Sequence, residues 1–581
     1  MTNKAGPFYI GVDVGTGSAR ACVIDSKGEI LAVAAHDIKK WEPKSGFFNQ
    51  SSNDIWNCIC LSIKDIMAEA DIDPSAVKGV GFDATCSLVV ISEKEDSPVS
   101  VGPDFNNHDQ NIVLWMDHRC PDETAEINAT NHMLLKYVGG QMSIEMEIPK
   151  VKWLKNHMPA GEFEKCKFYD LADYLTHKAT KSEARSFCSI VCKQGYVPVG
   201  VDGSMKGWSA DFLEAIGLPE LVEDDFRRVG GVLGVNGTIL SAGEYLGGLC
   251  KEAAAEMGLL PGTAVGSGVI DAYAGWIGTV AATISDEKWN ESGVGSGEDL
   301  EVATHRLAAV AGTSTCHLAI TKNSVFVPGV WGPYRDVLLP NYWMAEGGQS
   351  ATGALLHHVL TSHPAYSEAI AFAKQAGVSV FEYLNSRIVE MQKEQGLPTV
   401  EHLLKHYFYY GDLYGNRSPI ASEKMTGAVV GMTMDISVDA LAISYLAAVE
   451  FIGLQTRHII TTLNDAGHQI TSIFLSGGQC RNSILTSLMA TCTGMPVVIP
   501  KYIDAAVVLG AAMLGAKAGS ADKNGYTTGL WDIMKNMSGP GRVVYPTENL
   551  SEKKLVDIKF KIFLDMAQRQ QDYRAMIDGI E

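Results

Sequence analysis

Residues 8–38 read FYIGVDVGTGSARACVIDSKGEILAVAAHDI. Phe8–Val14 alternates and is rich in β-branched residues, the pattern of a strand. The turn Gly15-Thr16-Gly17-Ser18 follows; Ala19–Asp25 reads as a second strand, Ser26-Lys27-Gly28 as a hairpin turn and Glu29–His36 as a third strand. A glycine-rich turn entered and left by strands differs from two common nucleotide motifs. A dinucleotide fingerprint needs a third glycine and a helix after it; here Arg20 takes that place and a strand continues. No G-x-x-x-x-G-K-[ST] run occurs in the chain, so the P-loop is absent too. What remains is a hairpin tip whose N–H groups, with the Thr16 and Ser18 hydroxyls, can converge on phosphate oxygens. Asp13, at the end of the first strand, is placed to hold a magnesium ion through water. A purely structural hairpin would read the same way.

The second half of the chain repeats the pattern. In AVAGTSTCHLAI, residues 309–320, an apolar strand runs into Gly312-Thr313-Ser314-Thr315 and another strand follows. Two strand–turn–strand units about half a chain apart predict two related lobes facing each other, able to clamp a triphosphate from opposite sides. A third element, SIFLSGGQCRNSIL (472–485), reads as a strand, a Ser476-Gly477-Gly478 turn and a helix starting near Asn482. Glycines after a strand leave room for a flat base or ribose. The segment IDAAVVLGAAMLGAKAG (503–519) reads as a small-residue helix closing that second lobe.

A separate feature is GSGVIDAYAGWIG, residues 266–278. Between Met257 and Ser285 its Asp271 is the sole charged side chain. A carboxylate in apolar surroundings is paired, protonated or at work, and a cap or buried ion pair would account for it as well as catalysis would.

Bulk properties narrow the class. A chain of 581 residues is too long for one core and predicts two large domains. The net charge of −20 leaves no basic footprint for nucleic acid, so an anionic ligand must be held locally. The N-terminus lacks a signal-peptide pattern. Pro261, the glycines and Asp271 argue against a membrane span in 257–285, and the apolar spacing of Leu441–Ile460 is that of a core helix. Twelve dispersed cysteines show no zinc spacing, and the Cys58/Cys60 and Cys188/Cys192 pairs read as reduced thiols of a cytoplasmic protein. Alternating βα segments give an α/β fold. The first lobe is placed at 1–277, the second at 278–545 and a charged helical tail at 546–581; residues 285–305, acidic and Gly/Ser-containing, suit a surface loop.

Nine segments in order, GVDVGTGSARA, GFDATCSLVV, LWMDHR, PKVKWL, GVIDAYAG, AGTST, EGGQSATG, YGNRSP and LSGGQCRN, resemble the FGGY family of carbohydrate kinases across nearly the whole chain. Within it, GFDATCSLVV, MDHR, VPGVWGPY and EGGQSATG resemble the pentulose kinases, the D-ribulokinase group in particular. The resemblance implies two actin-like (ribonuclease H-like) lobes around a nucleotide and sugar cleft. It implies ATP and Mg2+ as cofactors and D-ribulose to D-ribulose 5-phosphate as the reaction; L-ribulose, xylulose or ribitol are alternative acceptors, and a sugar-independent actin-like switch is the rival class. By matching position, Asp13 is linked to magnesium, and Gly15, Thr16, Gly17, Ser18 and Arg20 meet the β- and γ-phosphates. Gly312 and Thr313 form the second phosphate motif, Gly477, Gly478 and Asn482 the adenosine motif, and Asp271 is the catalytic base. Cys86, Lys193 and Glu346 resemble sugar contacts, with Asp271 also facing the sugar. The family often places an aromatic beside that lysine, where this chain has Gln194. His118, Arg119 and Trp153 read as bracing or core, and His357-His358 as structural. The implied partners are a small sugar and ATP, with no nucleic acid and no membrane; a homodimer is the oligomeric state left open.

Overall fold

The computed structural model describes residues 6–292 and 299–580. Two seven-stranded sheets dominate it. In the first, β1 (Phe8–Val14), β2 (Ser18–Ile24) and β3 (Ile30–Asp37) form an antiparallel meander, as the opening stretch predicts. On its other edge β1 pairs in parallel with β4 (Val77–Ala84). Beyond β4, β6 (Ala264–Gly266) runs parallel to it and β5 (Tyr245–Gly248) antiparallel to β6, while the short β7 (Val269–Ile270) also pairs with β4.

The second sheet repeats this order. Antiparallel β8 (Arg306–Ala311), β9 (Thr315–Thr321) and β11 (Trp343–Gln349) correspond to β1–β3, with β10 (Trp331–Arg335) added at the edge. β8 pairs in parallel with β12 (Ser472–Ser476), which pairs in parallel with β13 (Val497–Ile499), and β14 (Arg542–Val544) closes antiparallel. The same meander followed by parallel strands in both halves gives the two-lobed α/β, actin-like fold. Each turn is closed by its first glycine: Gly15 N–H donates to the Ser18 carbonyl at 3.0 Å, and in the second turn, one residue shorter, Gly312 N–H donates to the Ser314 carbonyl at 2.8 Å.

Six helices matter to the site. They are α1 (Phe187–Lys193), α2 (Asp271–Ile277), α3 (Val438–Ala466), α4 (Ser483–Thr493), α5 (Ala506–Gly519) and α6 (Leu550–Asp578). α3 has the length and hydropathy of a membrane span, but 78% of that window is buried inside the protein, as befits a core helix. α6 lays Phe560 and Phe563 onto the second lobe, where the Lys559 ammonium forms a buried 2.6 Å ion pair with Glu450. Of the stretch 285–305 read as a loop, Glu287–Ser292 is helical and Leu300–His305 forms a 3-10 turn; residues 293–298 lie outside the described residues.

One expectation is overturned. Helix α5, read as closing the second lobe, packs on β1 and β4 of the first. The cause is backbone contact without side chains between. A Cβ on Gly11 would lie 2.1 Å from the Val508 carbonyl oxygen, one on Gly81 2.0 Å from that of Ala511, and one on Gly79 1.9 Å from that of Gly515. Helix α2 makes the opposite crossing: Gly275 abuts Val310 of β8, and α2 meets α5 where a Cβ on Gly510 would lie 2.0 Å from the Ala274 carbonyl oxygen. The two helices therefore join the lobes through glycine-to-backbone contacts.

Candidate active site

The end of β1 assembles the first part of the site. Strand register sets Asp13 opposite Arg20 on β2 and opposite Asp83 on β4. Asp83, Asp13 and Arg20 thus stand in a row across three strands, and β7 brings Val269, two residues before Asp271, level with Asp83. Arg20 Nη1 is 3.9 Å from Asp13 Oδ2 and donates to the Asp504 carbonyl at 2.8 Å, so it reaches across to the second half. Burial raises the Asp13 carboxyl; Arg20 and contact with Asp83 pull it back down. Asp83 is fully buried, and neither of its oxygens meets an N–H or O–H donor among the described residues. Its neighbour is the Asp13 carboxyl itself, so burial and that second acid push Asp83 well above the usual carboxylate range. Sequence reasoning passed over Asp83, although it is the sole charged residue between Gly79 and Ser92, the same signal that marked Asp271.

Asp271 is the first residue of α2, and its Oδ1 accepts the Ala272 N–H at 2.7 Å. Burial, followed by the nearby Asp13 charge, pushes its carboxyl up to about 7, while Lys193 opposes the shift. The rise is the one its apolar sequence surroundings imply.

The two glycine turns expected to bind phosphate follow β1 and β8. The Thr16 hydroxyl accepts the Trp115 indole N–H at 3.1 Å, which fixes its oxygen and leaves its own proton to donate outward. Among the motif glycines, a Cβ on Gly17 or Gly478 would meet no protein atom within 4 Å, and one on Gly15 or Gly312 would only approach the Ser18 or Ser314 carbonyl oxygen at 3.8 or 4.0 Å. Neither packing nor a left-handed φ requires glycine at these four places; bare space above the backbone is what they provide. Gly477 differs: its φ of 93° and a Cβ 2.0 Å from the Ala311 carbonyl oxygen make it a residue of the fold. The second and third motifs touch through Gln479, whose Nε2 donates to the Gly312 carbonyl at 3.2 Å and the Thr352 hydroxyl at 2.7 Å. Thr313 takes two backbone N–H groups, those of Thr352 and Ala354, on its carbonyl. Asn482 caps α4 by accepting the Leu485 N–H and donates to Tyr445 at 2.6 Å, so its amide is engaged within the protein.

Beyond Asp271 the sugar-contact candidates converge across the lobes. Lys193, at the end of α1, places its ammonium 3.0 and 3.1 Å from the two oxygens of Glu346 on β11. Burial alone would lower that ammonium, but Glu346 outweighs it and holds the group well above the ordinary lysine range. Tyr273 donates to Glu346 at 2.9 Å. Gln194 donates to Glu147 at 2.6 Å, and the aromatic beside the lysine comes instead from the second lobe: Lys193 Nζ lies 4.5 Å from the Trp331 ring centre. Cys86 is half-buried; burial holds its thiol well above its usual range, with Lys193, Asp271 and Glu346 among the charges acting on it. Arg119 is fully occupied by Asp117, Asn49 and the Val101 carbonyl, and Trp153 is core, as expected of bracing residues; His357 and His358 are exposed on the surface.

Duplicated lobes, paired phosphate turns and a shared carboxylate group define an ATP-dependent phosphotransferase of the actin-like class. Residues 8–278 match the N-terminal domain, and residues 307–519 the C-terminal domain, of the FGGY family of carbohydrate kinases. A D-ribulokinase of Saccharomyces cerevisiae is 46% identical over 99% of this chain and 94% of its own length. The FGGY carbohydrate kinase domain-containing protein of Homo sapiens is 40% identical over 98% of each chain. Among solved structures, xylulose kinase from Rhodospirillum rubrum superposes with a TM-score of 0.73 at 19% identity, covering 97% of this chain and 99% of that one. The chain belongs to the FGGY family of carbohydrate kinases and is a sugar kinase that uses ATP.

Proposed function

We propose that the protein transfers the γ-phosphoryl group of ATP to O5 of a ketopentose, D-ribulose, with Asp271 as general base. The observation that carries this reading is the company of Asp271: Asp13, just before the first glycine turn, and the Lys193–Glu346 ion pair all act on its carboxyl, and Tyr273 of its own helix donates to Glu346 at 2.9 Å. A sugar held by that pair brings a hydroxyl to the carboxylate and the phosphate turns together. The O5 proton passes to Asp271, the O5–phosphorus bond forms, and the bond from phosphorus to the ADP oxygen breaks. With a pKa of about 7, Asp271 is ionised enough at neutral pH to accept that proton and basic enough to hold it.

Positioning and charge stabilisation carry most of the rate in phosphoryl transfer. The Gly15–Ser18 turn, Arg20 and the Gly312-Thr313 turn supply N–H and hydroxyl donors for the β- and γ-phosphates, and Gly477, Gly478 and Asn482 border the adenosine. The residues present fit a magnesium ion: Asp13 stands at the turn, Asp83 beside it offers two oxygens without donors, and among the described residues no third His, Cys, Asp or Glu completes a dedicated cage. One or two carboxylates plus substrate phosphates is how Mg2+ is usually held. When bound, the ion supplies positive charge to the phosphates. At the other end, Cys86, Lys193 and Glu346 surround the sugar carbons, and the lobes exclude water that would compete as acceptor.

D-Ribulose is favoured by the 46% identity to a D-ribulokinase. The test is ADP release with ATP and Mg2+ over D-ribulose, L-ribulose, D-xylulose, ribitol and glycerol, with the product's phosphate position read by NMR. D-Ribulose is expected to give the highest kcat/KM and a 5-phosphate. A higher value with another acceptor replaces the sugar, and equal ADP release with and without sugar refutes the transfer.

A further inference from the structure

Phosphorylating O5 of a 2-ketopentose constrains the form in which the sugar binds. In its furanose ring O5 is bonded to C2 and has no proton to give. The enzyme must therefore hold the open chain, whose C2 carries a carbonyl, a group that only accepts hydrogen bonds. Removing that oxygen from water without a donor is costly. A site built for this substrate needs a donor a few carbons from Asp271.

Arg417, in YGNRSP, shares the Trp331 ring with Lys193, on the Glu346 side of the site. Its guanidinium is buried and crosses between the lobes: Nη2 is 3.1 Å from Glu145 Oε1 of the first half, and Nη1 lies 3.7 Å from the Cys316 sulfur on β9. Its Nε–H is buried without an acceptor among the described residues. The register explains how it fits. Cys316 pairs with Gly348 on β11, and a Cβ on Gly348 would lie 3.0 Å from Arg417 Cδ and 3.2 Å from Nη1. The second glycine of EGGQS thus clears a bed for the guanidinium, two residues along the strand from Glu346. Trp331, opposite Glu346, has the Lys193 ammonium at 4.5 Å and the Arg417 guanidinium at 5.8 Å from its ring centre. The Cys316 thiol, against Arg417, also feels the charges of Glu346, Asp271 and Lys193. Lys193 gives two of its three ammonium donors to the oxygens of Glu346, and Arg417 keeps its Nε–H without an acceptor among the described residues.

We infer that Arg417 binds the C2 carbonyl oxygen of the open-chain ketose and so selects ketoses over the polyols of the same length. This rests on the ketopentose reading above. The experiment compares D-ribulose with ribitol and D-arabinitol, the two products of reducing its C2. It measures kcat/KM for the ketose and inhibition constants for the polyols in wild type, Arg417→Met, Arg417→Lys and the pair Glu145→Gln with Arg417→Met, which leaves no unpaired charge behind. KM for ATP and the thermal midpoint report on the fold. Arg417→Met is expected to lower kcat/KM for D-ribulose by about 10- to 100-fold, mainly through KM, the scale of one lost charge-assisted hydrogen bond. Polyol inhibition should shift less than about threefold, by the same reasoning, since a hydroxyl can turn to another partner. Arg417→Lys keeps the cation and loses the Nε–H, so it should show the same loss of preference with the fold intact, and the paired variant likewise. Parallel weakening of ketose and polyols, or a ketose preference that survives in Arg417→Lys, overturns the assignment while leaving the ketopentose reading in place. A wild type that phosphorylates no ketose removes both.

Discussion

Replacing Asp271 by asparagine keeps the shape of the side chain and removes both its charge and its proton. In the folded protein this carboxyl titrates at about 7, against an ordinary 3.8. Between those values the native state holds a proton that the unfolded chain has already released. Wild-type stability therefore falls as pH rises through that window and levels off above 7. The full drop is ~4 kcal/mol at 1.36 kcal/mol per unit, of which ~3 kcal/mol lies between pH 5 and 8. Asparagine carries no such penalty. The thermal midpoint of Asp271→Asn, measured without ligands, should exceed that of wild type by a margin that widens from pH 5 to pH 8. The midpoint difference is the readout because a two-lobed chain need not unfold in one step. Over the same range, wild-type kcat/KM should climb about tenfold per pH unit below ~7 and flatten above it, and the variant should lose ~10²–10⁴ in kcat. A midpoint difference that ignores pH, or near-normal turnover by Asp271→Asn, would refute both the titration and the role.

Two glycine substitutions should part company. Gly17→Ala, facing open space, is expected to leave the thermal midpoint unchanged and raise KM for ATP roughly tenfold, as overpacking against a phosphate would. Gly81→Ala, whose methyl would lie 2.0 Å from a helix carbonyl oxygen, should collapse the soluble yield. Lys193→Met leaves Glu346 buried without its countercharge, with only the Tyr273 hydroxyl to meet it, so it should cost ~3–5 kcal/mol by thermal or denaturant unfolding. Adding Glu346→Gln should restore part of that stability while KM for the sugar stays high; no recovery in the double variant would deny the pair its electrostatic part. Asp83→Asn should weaken Mn2+ binding to the ADP complex, read by electron paramagnetic resonance, by about tenfold. Unchanged binding removes Asp83 from the metal's surroundings.

The sequence made some of this legible because the relevant signals are local. Alternation and turn residues announce β1, β2 and β3 and the second hairpin at Gly312, each within a dozen residues. Asp271 stands out because a charge in an apolar run is visible without partners. Helix α5 was misplaced for the opposite reason. Its alanines, valines and glycines show no polar face, and Gly510 and Gly515 gain meaning only against Gly11, Gly79 and Gly81, hundreds of residues earlier. Trp331 beneath Lys193 and Arg417 over Gly348 are likewise products of strand register between distant segments. Asp83 is the exception: its signal, a lone charge in an apolar run, is present and local, yet its place beside Asp13 comes only from the pairing of two strands.

The bare backbone seam between α2, α5 and the two central sheets has a kinematic consequence. Asp271 is the first residue of a helix whose Gly275 rests on the strand leading to Gly312, and whose Ala274 and Gly278 rest on the helix lying across the strand that carries Asp13. A rotation of one lobe against the other would have to be taken up at this seam, beside the residue that begins the helix. Asp271, anchored at that seam, would keep its place relative to both lobes while parts remote from the seam move.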